Sequence, residues 1–181
     1  FLKLLKKNQY GKTSLFKKFN IKFLTLNIIA LSYIFLVFCN FSYEIYKYEG
    51  SIFFLYIISI CFFTDIGGYA FGKIIGGKKL SKISPNKTIS GTVGSFLFSI
   101  TPLIIILNFN YLDFELNLNN IIFCLCISLI SQLGDLFISF IKRKAKIKDT
   151  GHILPGHGGV LDRLDGIIFA VPFSYLLLRL F

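Results

Sequence analysis

Long apolar runs alternate with short polar segments along this chain, and the polar segments alternate in turn between basic and non-basic. The runs cover residues 22–39, 51–72, 89–107, 121–141 and 166–181. A helix needs about 20 mostly apolar residues to cross a hydrocarbon core of ~30 Å, so each run reads as a membrane span, the last one short. The expected fold is therefore all-α, a polytopic helical bundle embedded in a membrane, with about five transmembrane helices.

The segments between the runs set the orientation. Residues 1–22 carry Lys3, Lys6, Lys7, Lys12, Lys17, Lys18 and Lys22. Segment 40–50 has one base, Lys47, beside Glu44 and Glu49. Segment 73–88 has Lys73, Lys78, Lys79, Lys82 and Lys87. Segment 108–120 has no base, but has Asp113 and Glu115. Segment 142–165 has Lys142, Arg143, Lys144, Lys146, Lys148 and Arg163. By the positive-inside rule the three basic segments face the cytoplasm, with the N-terminus inside and the C-terminus outside. The expected organisation is a basic cytoplasmic segment, 1–22, and one membrane domain, 23–181, with cytoplasmic loops 73–88 and 142–165. The chain starts at Phe1 and contains no Met, so the N-terminal segment reads as truncated.

Composition agrees. The hydrophobic fraction is 54%, and the net charge is +11. On a soluble domain that charge would suggest nucleic acid. Here the bases lie in blocks between apolar runs, which favours a membrane surface and excludes nucleic acid as the expected partner. Cys39, Cys61, Cys124 and Cys126 all lie within apolar runs and read as inert buried thiols, without disulfide or zinc spacing.

Two carboxylates lie at membrane depth. Asp65 precedes the basic segment at Lys73 by about two turns, and Asp135 precedes Lys142 by the same distance. A carboxylate there is costly, so it usually faces a bundle interior or a wet cavity and marks function. Ser128, Gln132, Asp135 and Ser139 share one helical face, and Ser131 adds to the polarity nearby. A single buried Asp satisfied by a neighbouring hydroxyl is the plainer alternative.

The densest polar stretch is KDTGHILPGHGGVLDRLDG, residues 148–166. Pro155, Gly156, Gly158 and Gly159 break helix and allow tight turns, whose exposed N–H groups can cradle phosphate oxygens. Asp162 and Asp165, three apart, can face one way at a helix start. Carboxylates beside a basic glycine-rich loop suit Mg²⁺, which takes a few carboxylates plus water and substrate phosphates. Lys142, Arg143, Lys148 and Arg163 then suit the phosphate charge. His152 and His157 read as loop polarity or phosphate contacts. GGYAFGKI, residues 67–74, approaches a P-loop but has Ile74 where the metal-binding hydroxyl belongs, so close packing of small residues is the better reading. The sequon at Asn86-Lys87-Thr88 faces the cytoplasm in this topology and is set aside.

The run from Ser139 to Asp165, together with QLGDLFIS (132–139), ISPNKTISG (83–91) and TDIGGYAFGK (64–73), resembles the phosphatidate cytidylyltransferases, also called CDP-diacylglycerol synthases. The resemblance covers roughly residues 50–181. It implies that phosphatidic acid and CTP give CDP-diacylglycerol and pyrophosphate with Mg²⁺, and it leaves open a second metal or K⁺. It further implies that Asp135 and Asp162 hold metal, with Asp165 and Asp149 as secondary candidates and Asp65 behind them. Lys142, Arg143, Lys148 and Arg163 would bind phosphates, with Lys142 and Arg163 joining Asp135 and Asp162 in catalysis. Ser84, Lys87 and Thr88 would help close the nucleotide site, His157 would contact substrate, and Gly158 and Gly159 would allow close backbone approach. The implied partners are CTP, phosphatidic acid, the lipid bilayer of a bacterial inner membrane and a second copy of the chain. The alternatives are another CTP-dependent membrane lipid transferase or kinase, a transporter with intramembrane aspartates, and an inactive lipid- or nucleotide-binding remnant.

Overall fold

A computed structural model of the protein describes residues 32–80, 84, 87–109, 115–144 and 164–180. The chain divides into two compact units, residues 1–37 and 38–181. Residues 33–37 of the first lie in the π-helical stretch Tyr33–Phe38.

Among its described residues the second unit consists of helices and the turns that join them, with an isolated bridge between Lys79 and Thr88. Its elements are α1 (Cys39–Ile74), α2 (Ile89–Ser99), α3 (Thr101–Phe109), α4 (Leu118–Lys144) and α5 (Ile167–Leu178). Three helical stretches are long and apolar enough to cross a membrane: Leu36–Ile74, Ile89–Phe109 and Leu118–Lys144. The fifth expected span is the 12-residue α5, and run 22–39 falls largely outside the described residues. Leu55, Phe62, Leu129, Leu133 and Phe137 are exposed along these helices, as a surface facing lipid allows and a water-facing one seldom does.

Two boundaries differ from expectation. Segment 40–50, expected as a loop, is helical, and α1 is two helices joined at Gly50, whose φ of 87° and ψ of 171° suit glycine alone. The first piece forms because Ile45 is buried against the core, while Tyr43, Tyr46 and Tyr48 remain exposed, as aromatics do at a membrane–water boundary. Run 89–107 is interrupted at Ile100, just before Pro102, which has no N–H to continue the ladder.

The core gathers Ile57 and Ile60 of α1, Leu103 of α3, Ile127 of α4, and Ala170 and Val171 of α5. The Tyr56 hydroxyl and Cys124 Sγ, 3.0 Å apart, tie α1 to α4. Cys61 and Cys124 are buried as expected, Cys126 is half-buried, and Cys39 is exposed, a correction that follows from its place at the start of α1.

α1 packs most extensively on α2, through Gly67, Gly68 and Gly72 on one side and Gly91, Gly94 and Ser95 on the other. A Cβ on Gly94 would lie 2.7 Å from the Gly67 carbonyl oxygen, and one on Gly91 would lie 2.7 Å from that of Gly68. Backbones this close need small residues, which is how helices associate where lipid supplies no hydrophobic drive. The near-P-loop glycines are thus packing residues.

Candidate functional site

The site is assembled at the ends of α1 and α4 and the starts of α2 and α5. After α1 the chain turns through Gly76 and Gly77, both with positive φ. It then doubles back: Ile89 N donates to the Lys78 carbonyl (3.0 Å), and Leu80 N donates to the Lys87 carbonyl (2.8 Å). Lys87 N donates to the Ser84 carbonyl at 3.1 Å. Thr88 caps α2, its hydroxyl accepting from Gly91 N at 3.1 Å, and it also lies 3.0 Å from Ser90 Oγ. Ser90 in turn donates to the Gly76 carbonyl. This bracing fixes Lys87 at the head of α2, where its ammonium forms an ion pair with Asp135 of α4. Both side chains are 31% exposed.

The second half comes from α4 and α5. α5 begins hard against α4: a Cβ on Gly166 would collide with Ser131 Oγ, and one on Gly134 would lie 3.2 Å from the Asp165 carbonyl oxygen. Asp165 is held beside α4 as a result. Helical side chains lean toward the helix N-terminus, so Lys142, further along α4, reaches back to it. Lys142 Nζ donates to Asp165 Oδ2 at 2.8 Å, with the two side chains 12% and 3% exposed. The C-terminal turn of α4 also carries Arg143 and Lys144, well placed against the negative end of the helix dipole.

Four expected site residues therefore form two acid–base pairs, Lys87–Asp135 and Lys142–Asp165. The latter joins an expected phosphate ligand to an expected metal ligand. Ser84 is half-buried in the braced loop, Thr88 serves as a helix cap, and Arg143 is exposed. Asp65 is exposed on α1 next to buried Thr64. Lys148, Asp149, His152, His157, Gly158, Gly159, Asp162 and Arg163 lie outside the described residues. Among the described residues, no three His, Cys, Asp or Glu side chains cluster closely enough to hold a metal ion.

Beneath the charged pairs lies a layer of buried hydroxyls. Ser128 and Ser131 are buried, and Gln132 donates to Ser128 Oγ at 3.2 Å, as the polar face of α4 leads one to expect. Sequence reasoning missed Thr64 and Ser95. Ser95 donates to the Thr64 carbonyl at 2.8 Å, and the buried Thr64 hydroxyl has no hydrogen-bond partner among the described residues. Their signal was the small residue four positions after Gly91, a spacing typical of close helix contacts. An apolar groove of about 470 Å³, lined in part by Phe96, Cys126, Leu129 and Phe173, is separate from this site. At about 100° per residue, Cys126 and Asp135 lie about 180° apart around α4.

Residues 4–181 match the cytidylyltransferase family. The chain is 45% identical over 141 residues to the phosphatidate cytidylyltransferase of Staphylococcus aureus (strain COL), covering 76% of this chain and 53% of the relative. It is 42% identical over 132 residues to that of Staphylococcus haemolyticus (strain JCSC1435), covering 72% and 50%. For that of Staphylococcus saprophyticus the figures are 42% over 133 residues, 72% and 50%. The chain thus spans about half the length of the curated relatives it matches.

Proposed function

The chain belongs to the cytidylyltransferase family, and on that premise we propose that it transfers a cytidylyl group from CTP to phosphatidic acid, giving CDP-diacylglycerol and pyrophosphate. The observation that carries this reading is the pairing of Lys87 with Asp135 and Lys142 with Asp165 at one end of an apolar helical bundle. A lipid substrate reaches such a place from the bilayer and a nucleotide from the water. Both are anions, so the first task of the site is to offset their repulsion.

The chemistry needs no covalent enzyme intermediate. A non-bridging oxygen of the lipid phosphate forms a bond to the α-phosphorus of CTP. The bond from that phosphorus to the oxygen bridging the β-phosphate breaks, and pyrophosphate leaves with the electron pair. The work of the protein is alignment and charge neutralisation. Lys87, Lys142, Arg143, Lys148 and Arg163 bind phosphate oxygens, and Gly158 and Gly159 let backbone N–H groups approach them. Ser84, Thr88 and His157 border the nucleotide, with Thr88 acting chiefly through the shape of the α2 start.

Magnesium fits the donor set. Asp135 and Asp165 already hold a cationic group against a carboxylate oxygen, and Mg²⁺ takes one or two carboxylates together with substrate phosphates and water. Asp135, Asp162 and Asp165 would hold it, with Asp149 nearby in sequence. When bound, it draws negative charge from the phosphates. We further propose that the basic segments face the cytoplasm of a bacterial inner membrane and that two copies associate as a homodimer.

The test is transfer of cytidine label from CTP into the lipid phase by the purified chain with phosphatidic acid and Mg²⁺. Label should enter the lipid, and Asp135→Asn or Asp162→Asn should lower the rate at least about 100-fold, as loss of a transition-state charge contact does. Full transfer by both variants would keep the reaction but remove these aspartates from it. No transfer, even with the remaining half of a full-length relative supplied, would leave binding without turnover.

A further inference from the structure

We propose that Lys87 and Lys142 are exchangeable counter-ions, which neutralise Asp135 and Asp165 until a metal–polyphosphate complex arrives, so that cation and phosphate bind together and neither binds well alone. This rests on the proposed reading of the site as one for a metal and a nucleotide.

α4 contributes one member to each pair. Asp135 and Lys142 are seven residues apart (142 − 135), two turns along one face. Asp135 faces an ammonium from the α2 side, and Lys142 faces a carboxylate from the α5 side. Within each of these two pairs the charges are equal and opposite. The inner pair is nearly water-free, with Asp165 3% and Lys142 12% exposed.

A divalent cation arriving alone at Asp165 must displace the Lys142 ammonium. That separates two nearly buried opposite charges 2.8 Å apart and sets the ammonium beside a like charge, which is costly at this burial. A polyphosphate arriving alone draws the ammonium away and leaves the carboxylate facing more negative charge. When both arrive, the exchange is complete: cation meets carboxylate, and ammonium meets phosphate. The same logic holds at Lys87–Asp135, weakened by its greater exposure to solvent.

A purely structural role for the pairs makes the opposite forecast, since removing a lysine would then loosen the site and weaken metal binding. Mn²⁺ is the probe, counted by electron paramagnetic resonance with the full chain in lipid nanodiscs and no nucleotide. Lys142→Gln should bind Mn²⁺ about tenfold more tightly than wild type or more, and Lys142→Arg should return to the weak wild-type value. Lys87→Gln should shift in the same direction by a smaller factor, and it decides the matter should Lys142→Gln not fold. Mn²⁺ binding that is unchanged or weaker in the glutamine variants overturns the proposal. A second arm measures labelled CTP, with wild-type affinity expected to fall about tenfold or more when Mg²⁺ is replaced by EDTA, and with that dependence flattened in Lys142→Gln. CTP affinity that ignores Mg²⁺ also overturns it. Failure to bind CTP under either condition defeats the proposed function instead, while the nucleotide-free Mn²⁺ arm still decides the counter-ion exchange.

Discussion

At Gly94 the seam between α1 and α2 has no room for one more carbon, whereas at Lys142 the contact between α4 and α5 runs through the tip of a long, flexible side chain. The first contact is backbone against backbone, neutral and short. The second is ammonium against carboxylate, charged and nearly buried. Removing atoms changes little in a seam already made of the smallest residues, and adding them is what breaks it. The charged contact fails when one partner is removed, and it can also trade partners. The proposed exchange of anions suits the second kind of contact, set on a frame of the first.

The largest expected effect tests the charged side. Lys142→Ala removes the ammonium 2.8 Å from the buried Asp165 carboxylate and should lower stability by about 3–5 kcal/mol. Lys142→Met combined with Asp165→Leu should recover most of that loss, because a buried pair is often no more stabilising than apolar groups of its size. Denaturant unfolding in detergent reads both; a double variant as unstable as the single one would show that the pair holds α5 in place by more than charge.

On the seam, Gly94→Ala forces a Cβ against the Gly67 carbonyl and the Phe71 side chain and should cost about 1–3 kcal/mol. The same unfolding measurement applies, and a neutral result would mean that α1 and α2 can separate freely, erasing the contrast between the two regions.

The smallest effect lies where the regions meet. Thr88 caps α2 and orients the loop carrying Lys87, so Thr88→Ala should cost about 1 kcal/mol, and Thr88→Ser should restore it. Loss of CTP affinity in Thr88→Ala without loss of stability would instead give Thr88 a direct contact with the nucleotide.

Much of this was legible in the chain. Run 121–141 became α4 with ends moved by only three residues (121 − 118 and 144 − 141), because an apolar stretch closed by Lys142, Arg143 and Lys144 has little choice in lipid. Segment 40–50 misled because its charges, Glu44, Lys47 and Glu49, mask Ile45, which turns inward. Gly50 alone makes the turn expected of the whole segment. Asp135 was legible as a residue that needs a partner, because a carboxylate within an apolar run is costly alone, and the structure pairs it with Lys87. Thr64 was not, since a hydroxyl in an apolar run is commonplace and only its burial beside Ser95 sets it apart.

By itself the sequence determined the apolar spans, the alternation of basic ends, the aspartates at depth and the motif that ties the chain to its family. Each of these is local or periodic, read from residues within a few turns of one another. Which acid meets which base was decided only by tertiary structure. Lys142 and Asp165 are 23 residues apart, and Lys87 and Asp135 are 48 apart (135 − 87). Those pairings depend on how closely Gly134 and Gly166 let α5 approach α4, and on how the braced loop aims Lys87. Helix register and approach distance are properties of packed pairs of helices, and no single segment contains them.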